Sequence, residues 1–330
     1  MSILYDDLPI IYGTGEILSD NKKSWRKTKL RTEAVAQSLD VNESKAMLGR
    51  HVRMMDCGAS LTFAVSSTGD KRLTFANFCR DRMCPGCQKR RSLVVFHQVK
   101  NVCNSIQKDN PTFKYLLLTL TVPNIKEDQL SSEIKHLHAS WDKLRRRKAF
   151  QKGVRGFFRA LEVTYNGERD DYHPHLHVLL CVPSGYFKKH YISQQKWLQM
   201  WQQCTKYPHI TQVDVRAIKP NPKRKESDSI SSAAAEVGKY ATKPSNYVAE
   251  LPNGDFIASK GVVRGLAKGI AGKRLIAFGG IMSDCHKKLR LEDVDSDSVD
   301  LIHVENESAS IDAVMKQVYR WNLGLRQYVN

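Results

Sequence analysis

The order of apolar and amphipathic segments between residues 113 and 218 constrains the fold of this chain more than any other feature. Segments rich in aliphatic and β-branched residues are typical of strands, and segments with apolar residues at helical spacing are typical of amphipathic helices. In chain order these segments are strand 113–124, helix 127–150, strands 154–167 and 172–183, helix 191–204 and strand 210–218. This order predicts an α+β fold of the ferredoxin-like or RRM-like kind, in which an antiparallel sheet carries its helices on one face.

Three histidines stand at alternate positions in the second strand of the central pair, in the segment DDYHPHLHVLL. Because alternate residues of a strand share a face, His173, His175 and His177 project together. Glu162 lies in an apolar stretch of the preceding strand, where a carboxylate is costly unless it has a partner. We predict His175, His177 and Glu162 as ligands of a divalent ion able to polarise a phosphate oxygen, with His173 as a further candidate. The alternative is a half-exposed strand with surface histidines.

The segment SSAAAEVGKYATKPSNY, residues 231–247, supplies a candidate nucleophile. On a helix Glu236, Tyr240 and Lys243 would share one face, since their spacing is i, i+4 and i+7. A phenol is a poor nucleophile at neutral pH, but a nearby cation and a metal-polarised phosphate lower its barrier, and the product would be a phosphotyrosine ester. We predict these three residues as catalytic, with Tyr247 as the rival nucleophile. Spacing alone equally allows a tyrosine at the edge of the core beside a solvated ion pair.

Four of the eight cysteines, Cys57, Cys79, Cys84 and Cys87, lie in the region 51–98. In CPGC a single turn presents two sulfurs to one ion, and the four together predict a structural zinc site. The sequence leaves three candidates for the fourth ligand: Cys79, His51 and His97. A redox C-x-x-C pair and unmetallated thiols are the alternatives, and a disulfide framework is not expected in a cytosolic chain of this length.

The chain is strongly basic, with 52 Lys and Arg against 34 Asp and Glu and a net charge of +18. The excess charge predicts a polyanionic partner, and a nucleic acid fits best, although a merely soluble basic surface is the alternative. No apolar run is long enough to span a membrane, and the first residues lack the features of a signal peptide, so we expect a cytoplasmic protein. The DNA-binding candidates come from clusters of basic residues: Arg90, Arg91, Arg145, Arg146, Arg147, Lys148, Lys188 and Lys189.

Three segments, LLLTLTVPN, HPHLHVLL and EVGKYATK, resemble in this order the three motifs of plasmid rolling-circle replication initiators of the HUH endonuclease superfamily. The segment CRDRMCPGC is similar to the cysteine motif of one single-tyrosine branch. The resemblance covers about residues 51–250, and its histidine motif is the most specific part. It implies an HUH nuclease core that follows a small zinc-binding region.

The resemblance implies that His175 and His177 bind Mg²⁺ or Mn²⁺ and that Tyr240 cleaves one strand at the double-strand origin. The tyrosine would stay joined to the 5′ phosphate and leave a 3′-OH primer, and Glu236 would activate water at termination. The expected partners are plasmid origin DNA, as a hairpin or single strand, and a host helicase and polymerase in the bacterial cytoplasm, because the sequence has no Walker A motif. A second copy of the chain is a further candidate partner.

Three other functions share some of these features. A rolling-circle transposase or a mobilisation relaxase would use the same histidines and tyrosine. A non-catalytic zinc-dependent nucleic-acid-binding protein would explain the charge and the cysteines, and a metallohydrolase would act through activated water without a covalent adduct.

The sequence divides into four consecutive regions. These are a basic lead-in (1–50), a zinc-binding and DNA-recognition region (51–110), the endonuclease core (111–250) and a C-terminal DNA-binding or oligomerisation region with an acidic segment (251–330). Within the last region we expect short strands and turns over 254–280, a solvated linker over 291–312 and an amphipathic helix over 311–325.

Overall fold

The computed structural model of the chain describes residues 5–19, 24–218, 229–238, 244–304 and 311–330. The helices in these ranges are α1 (Trp25–Gln37), α2 (Lys45–Asp56), α3 (Pro85–Asp109), α4 (Leu130–Arg145), α5 (Lys148–Gly153), α6 (Tyr186–Lys189), α7 (Gln194–Thr205), α8 (Ser229–Val237), α9 (Lys260–Ile270) and α10 (Ile281–Lys288). The strands are β1 (Ile10–Ile11), β2 (Ser60–Ser66), β3 (Lys71–Ala76), β4 (Lys114–Thr121), β5 (Gly156–Asn166), β6 (Asp171–Val182), β7 (Asp214–Ala217), β8 (Val248–Glu250), β9 (Phe256–Ala258), β10 (Ile276–Gly280), β11 (Ala313–Asn322) and β12 (Gln327–Val329). None of the helices in the described ranges is both long enough and apolar enough to cross a membrane.

The chain divides into two compact units, each assembled from separate stretches of sequence. Unit 1 comprises Met1–Arg91, Tyr247–Arg264 and Asp300–Asn330, and unit 2 comprises Ser92–Asn246 and Gly265–Val299. The functions that the sequence analysis assigned to four consecutive regions stay predictions.

Unit 2 is built on a five-stranded antiparallel sheet with the order β10-β5-β6-β4-β7. With α4 between β4 and β5 and α7 between β6 and β7, the chain follows the strand and helix order predicted from the sequence. The ferredoxin-like α+β prediction is therefore confirmed. Strand β10 extends this sheet beyond β5, an addition that the sequence does not indicate.

The sheet of unit 2 is covered on both faces, not only on the one face that the prediction gave to the helices. On one face α4 buries an apolar stripe, and the Trp141 ring meets that of Phe157 on β5 edge to face, with centroids 4.9 Å apart. On the other face Phe158 packs against Phe278 of β10, and the Tyr115 hydroxyl donates to the carbonyl oxygen of Cys103 on α3 at 3.0 Å. Coverage from both sides explains why β4 carries an unbroken run of leucines rather than an alternating pattern.

Unit 1 contains a second sheet, in which β11 lies between β1 and β2 while β3 pairs with β2 and β12 with β11. The amphipathic helix predicted over 311–325 is therefore wrong, because most of that segment is the strand Ala313–Asn322. Val318, Tyr319 and Trp321 favour a strand, and antiparallel pairing with β2 decides the conformation.

Two further expectations for the C-terminal region need correction. Residues 254–280 contain helix α9 as well as short strands. The acidic segment is not a solvated linker over its described part, because four of its apolar side chains are buried and Asp295 accepts hydrogen bonds from the backbone N–H groups of Leu275 and Ile276. The buried residues are Val294, Val299, Leu301 and Val304.

Candidate functional site

Strands β5 and β6 bring Glu162, His175 and His177 together. Glu162 lies directly opposite His175 in the antiparallel ladder, and its side chain is only 1% exposed. The Oε2 atom of Glu162 is 3.0 Å from Nε2 of His177 and 3.7 Å from Nε2 of His175. The two Nε2 atoms are 3.1 Å apart. Three donor atoms from two strands thus converge on one point.

This donor set fits a divalent cation. Nδ1 of His175 lies 3.2 Å from the backbone oxygen of His173, to which it can donate, and Nδ1 of His177 lies 3.5 Å from the Thr119 hydroxyl. With Nδ1 engaged in this way, the Nε2 lone pairs point toward Glu162 and are available to a metal. Two imidazoles and one carboxylate leave coordination positions open for a substrate oxygen.

His173 is not brought into the cluster that could hold a metal, which contains only Glu162, His175 and His177 among the described residues. Its ring instead stacks on that of His175, with centroids 5.2 Å apart. Burial lowers the pKa of His173. The side chain therefore packs beside the cluster as a neutral ring.

Helix α8 carries Glu236 to the same face of the sheet as the histidines. The helix packs against β4 and β6, and Glu236 lies 3.5 Å from the guanidinium of Arg216 on β7. Arg216 and Leu179 flank Leu117 in the ladder, and Leu179 is two residues beyond His177, so these side chains share one face. Tyr240 and Lys243, the other two predicted catalytic residues, lie outside the described residues.

Helix α8 ends at a tightly packed glycine. The N–H group of Gly238 donates to the carbonyl oxygen of Ala234 at 2.8 Å. A Cβ at position 238 would lie 2.7 Å from that oxygen and 3.4 Å from the backbone of Phe96 on α3. Only glycine fits at this position without a shift of the backbone. Gly238 stands at the end of α8, two residues before Tyr240 in the sequence.

Tyr247, the rival nucleophile, is buried at 3% exposure. Its hydroxyl donates to the carbonyl oxygen of Met83 at 3.2 Å and accepts from the Gln88 side chain at 3.1 Å. These contacts give the Tyr247 hydroxyl a structural role within unit 1 and argue against it as a nucleophile.

The four predicted zinc ligands, Cys57, Cys79, Cys84 and Cys87, form one cluster in unit 1. Sulfur–sulfur distances are 3.6 Å for Cys84 to Cys57 and 3.7 Å from Cys87 to both Cys57 and Cys79. Tetrahedral ligands with Zn–S bonds of ~2.3 Å would be separated by about 3.8 Å. The cluster fits a tetrahedral ion, and Cys79 completes it, because the His51 ring instead contacts the Ala36 carbonyl oxygen.

The four thiols lie too close together for all of them to ionise without a compensating cation. Hydrogen bonding to Cys79 and Cys84 raises the pKa of Cys57, and hydrogen bonding to Cys57 and Cys79 raises that of Cys87. Burial opposes ionisation of Cys84, yet hydrogen bonds from the other three thiols lower its pKa overall. Close negative charges cannot accumulate without a compensating ion, and a divalent metal would allow all four thiolates to form.

Helix α1 and the loop at 77–83 support the cysteine cluster, a contribution that the sequence patterns do not reveal. The buried amine of Lys29 donates to the carbonyl oxygens of Met55 and Cys57. The Thr32 hydroxyl accepts from the N–H of Gly86 at 3.2 Å and lies 3.8 Å from the sulfur of Cys84. Backbone N–H groups also point at the sulfurs, as Arg80 does toward Cys87 at 3.2 Å. These contacts hold the thiols in place for a metal.

Burial argues against DNA contact for two of the predicted DNA-binding residues. Arg90 and Arg91 are 5% and 0% exposed, and their guanidinium groups donate to backbone carbonyl oxygens of Leu301, Ile302 and Arg80. They stabilise unit 1 and are not available to phosphate. The other candidates are exposed or half-buried: Arg145, Arg146, Arg147, Lys148, Lys188 and Lys189.

Comparison with known proteins decides the family. The family model Rep_1, described as a replication protein, matches residues 70–329. The chain belongs to the Rep family of plasmid replication initiators. It is 33% identical over 319 residues to a Rep protein of Streptococcus pneumoniae serotype 2, strain D39, with 94% of both chains covered.

Other Rep proteins are similar to this chain. A Rep protein of Lentilactobacillus hilgardii is 34% identical over 317 residues, covering 94% of this chain and 96% of its own. A Staphylococcus aureus Rep protein is 37% identical over 196 residues, covering 58% of this chain and 82% of its own. No solved structure matches the chain. Membership of the Rep family implies binding to plasmid origin DNA, which is the polyanion that the charge predicts.

Proposed function

We propose that this Rep protein initiates rolling-circle replication as an HUH endonuclease, by nicking one strand at the plasmid double-strand origin and later rejoining it. The observation that carries the proposal is the cluster of Glu162, His175 and His177 on β5 and β6. A buried carboxylate beside two imidazoles is a costly arrangement in a merely structural strand pair. It is a suitable site for Mg²⁺ or Mn²⁺.

A divalent ion held by Glu162, His175 and His177 would polarise a non-bridging oxygen of the scissile phosphate. The Tyr240 phenol oxygen attacks that phosphorus, its proton passes to solvent, and the bond from phosphorus to the 3′ oxygen breaks. The 3′ oxygen takes up a proton and becomes the primer end, while Tyr240 stays joined to the 5′ phosphate. Lys243 neutralises charge near the developing phenolate.

Glu236 serves the termination step in this proposal. Its side chain is 36% exposed and faces the same side of the sheet as the histidines, so water can reach it. A carboxylate in this position acts as general base on a water that attacks the second phosphodiester. The ion pair with Arg216 keeps the carboxylate on this face between reactions.

Recognition of the origin, as a hairpin or single strand, is assigned to the zinc-bearing residues of unit 1 and to the exposed basic residues at the end of α4 and in α6. Zinc is the metal proposed for the four cysteines, because four thiolates at these separations suit it best. The polymerase that extends the 3′-OH and the helicase that unwinds the duplex are host proteins in this scheme.

Purified protein and its variants would be incubated with supercoiled plasmid and labelled single-stranded origin oligonucleotides, with Mn²⁺ or EDTA. We expect a metal-dependent nick and a protein–DNA adduct, both lost in Tyr240→Phe and in His175→Ala. Tyr247→Phe is the matched control, since it removes one hydroxyl from a buried tyrosine and should leave the adduct intact. Cleavage without an adduct would identify water as the nucleophile, and an adduct that persists in Tyr240→Phe would overturn the assignment of the tyrosine.

A further inference from the structure

A loop after β6 displays two aromatic rings to solvent. Phe187 on α6 is 47% exposed and Tyr191 just beyond it is 62% exposed. Their rings lie nearly parallel, 29° apart, with centroids separated by 6.5 Å. These two rings are exposed and are not part of the core of unit 2. Their alignment indicates a surface that contacts a binding partner.

The loop holds the two rings in a defined position. Tyr186 is 1% exposed, its ring meets those of Phe187 and Tyr191 edge to face, and its hydroxyl accepts from the N–H of Ile192 at 3.3 Å. The N–H of His190 donates to the carbonyl oxygen of Tyr186 at 3.1 Å. One buried tyrosine thus closes the loop and supports both exposed rings. Little conformational entropy remains to be lost when the rings bind a partner.

The charge around the rings identifies the partner. Lys188 and Lys189 lie between the two rings in the chain and are exposed. The whole stretch 181–213 contains four lysines and no Asp or Glu. The segment 143–161, whose Gly153 packs against Tyr186, contains eight Lys and Arg and no acidic residue. A polyanion with exposed flat rings, which is single-stranded DNA, complements aromatic rings set among cations.

We propose that Phe187 and Tyr191 form a stacking platform for unpaired bases of single-stranded DNA, with Lys188 and Lys189 on its phosphates. This inference rests on the proposed function, which requires a single strand to lie on unit 2. The platform follows the end of β6, whereas the histidines lie nearer its start, and His177 and Val182 are about 17 Å apart at ~3.3 Å per residue. The bases it binds are therefore not those at the scissile phosphate.

The test compares binding of the full chain to labelled oligothymidylate and to an abasic oligonucleotide of equal length, in EDTA so that no cleavage occurs. We expect wild-type protein to prefer oligothymidylate. The double variant Phe187→Ala, Tyr191→Ala should lose roughly tenfold or more in affinity for oligothymidylate while its affinity for the abasic strand stays within about twofold. Tyr12→Ala, which removes a 75% exposed tyrosine from unit 1, is the matched control and should bind as wild type.

Two further variants separate stacking from other effects. Tyr191→Phe keeps the ring and should keep the affinity, whereas Phe187→Leu keeps apolar area without a ring and should lose it. Lys188→Ala, Lys189→Ala should reduce the salt dependence of binding, with a change of about 1.4 in the slope of log affinity against log salt, while the ring variants should leave this slope unchanged. Thermal unfolding of each variant shows whether the fold is intact.

Equal binding of the two oligonucleotides by wild-type protein, or an unchanged preference in the double alanine variant, would overturn the platform. Neither result depends on cleavage, so the proposed nicking function would stand or fall on its own assay. A protein that does not nick DNA yet discriminates against the abasic strand would retain the platform and lose the proposed function.

Discussion

Oε2 of Glu162 lies 3.0 Å from Nε2 of His177, and both atoms face Nε2 of His175. The arrangement fits the proposed role of Glu162 as a metal ligand better than that of a remote positioning residue. In Glu162→Gln the shape is kept but the negative charge is lost. We expect metal-dependent nicking to fall by about 100-fold or more, measured on supercoiled plasmid over a Mn²⁺ titration. Glu168→Gln in the exposed turn of the same hairpin should behave as wild type, and equal activity of the two variants would contradict the assignment.

The cysteine cluster should hold one zinc ion per chain. In Cys84→Ser we expect loss of bound zinc, detected with a chromophoric chelator, and a fall of several kcal/mol in the free energy of unfolding of unit 1, since metal binding contributes directly to folding. Cys204→Ala removes a buried thiol from α7, outside the cluster, and should keep its zinc. Zinc retained in Cys84→Ser would disprove the four-thiolate site.

Gly238 should be sensitive to a single methyl group. In Gly238→Ala the new Cβ would lie 2.7 Å from the Ala234 carbonyl oxygen, so the end of α8 must shift at a cost of roughly 1–3 kcal/mol. We expect lower thermal stability and slower nicking. Gly261→Ala on α9 places its methyl group in open space and should stabilise the protein by roughly 0.4–1 kcal/mol. Urea unfolding of both variants tests this contrast.

His138 should make the protein sensitive to mild acid. Burial, and then the positive charge of Arg159, lowers the pKa of His138 from 6.5 to about 3. Below pH 6.5 the unfolded chain binds a proton at His138 and the folded chain does not. The free energy of unfolding is therefore unaffected by this group above pH 6.5 and decreases as the pH falls toward 3. His138→Gln can still accept from Arg159 and should be less acid-sensitive, by up to about 2 kcal/mol between pH 6.5 and 5. Urea unfolding at several pH values measures this difference. An equal loss of stability in the wild-type and His138→Gln proteins as the pH falls would refute the prediction.

Substitutions at Arg90 and Arg146 should have different effects, the first on stability and the second on DNA binding. Arg90→Gln removes hydrogen bonds to the carbonyl oxygens of Leu301 and Ile302 and should lower the melting temperature without changing the salt dependence of DNA binding. Arg146→Gln, at an exposed position, should leave stability unchanged and reduce the salt slope by about 0.9 if it contacts duplex phosphate. A lower salt slope in Arg90→Gln would restore that residue to the DNA-binding surface.

The sequence predicted the parts of the fold in which local pattern and tertiary environment agree. Strands β5 and β6 were predicted because apolar residues, some of them β-branched or aromatic, recur in both on either side of a polar turn, and the alternate histidines then had to share a face. The segment 311–325 was predicted wrongly because Val314, Met315, Val318 and Tyr319 also fit a helical stripe, and only the distant partner β2 selects the strand.

The candidate site was predictable to a similar degree. Spacing alone identified the cysteines and the histidines. It could not show that Arg90 and Arg91 point inward, that Lys29 and Thr32 support the thiols, or that Phe187 and Tyr191 align, because these contacts depend on packing between elements that the local sequence does not encode.

Strand β11 lies inside the sheet of unit 1, between β1 near the start of the chain and β2, although more than 240 residues separate it from β2. During synthesis this sheet cannot be completed until residue 329 has left the ribosome, whereas all residues of unit 2 have emerged once residue 299 is free. Contacts between such distant residues form slowly, because a long loop must close first. We therefore expect unit 2 to be folded while unit 1 is still incomplete, because the last strands of unit 1 leave the ribosome after all of unit 2.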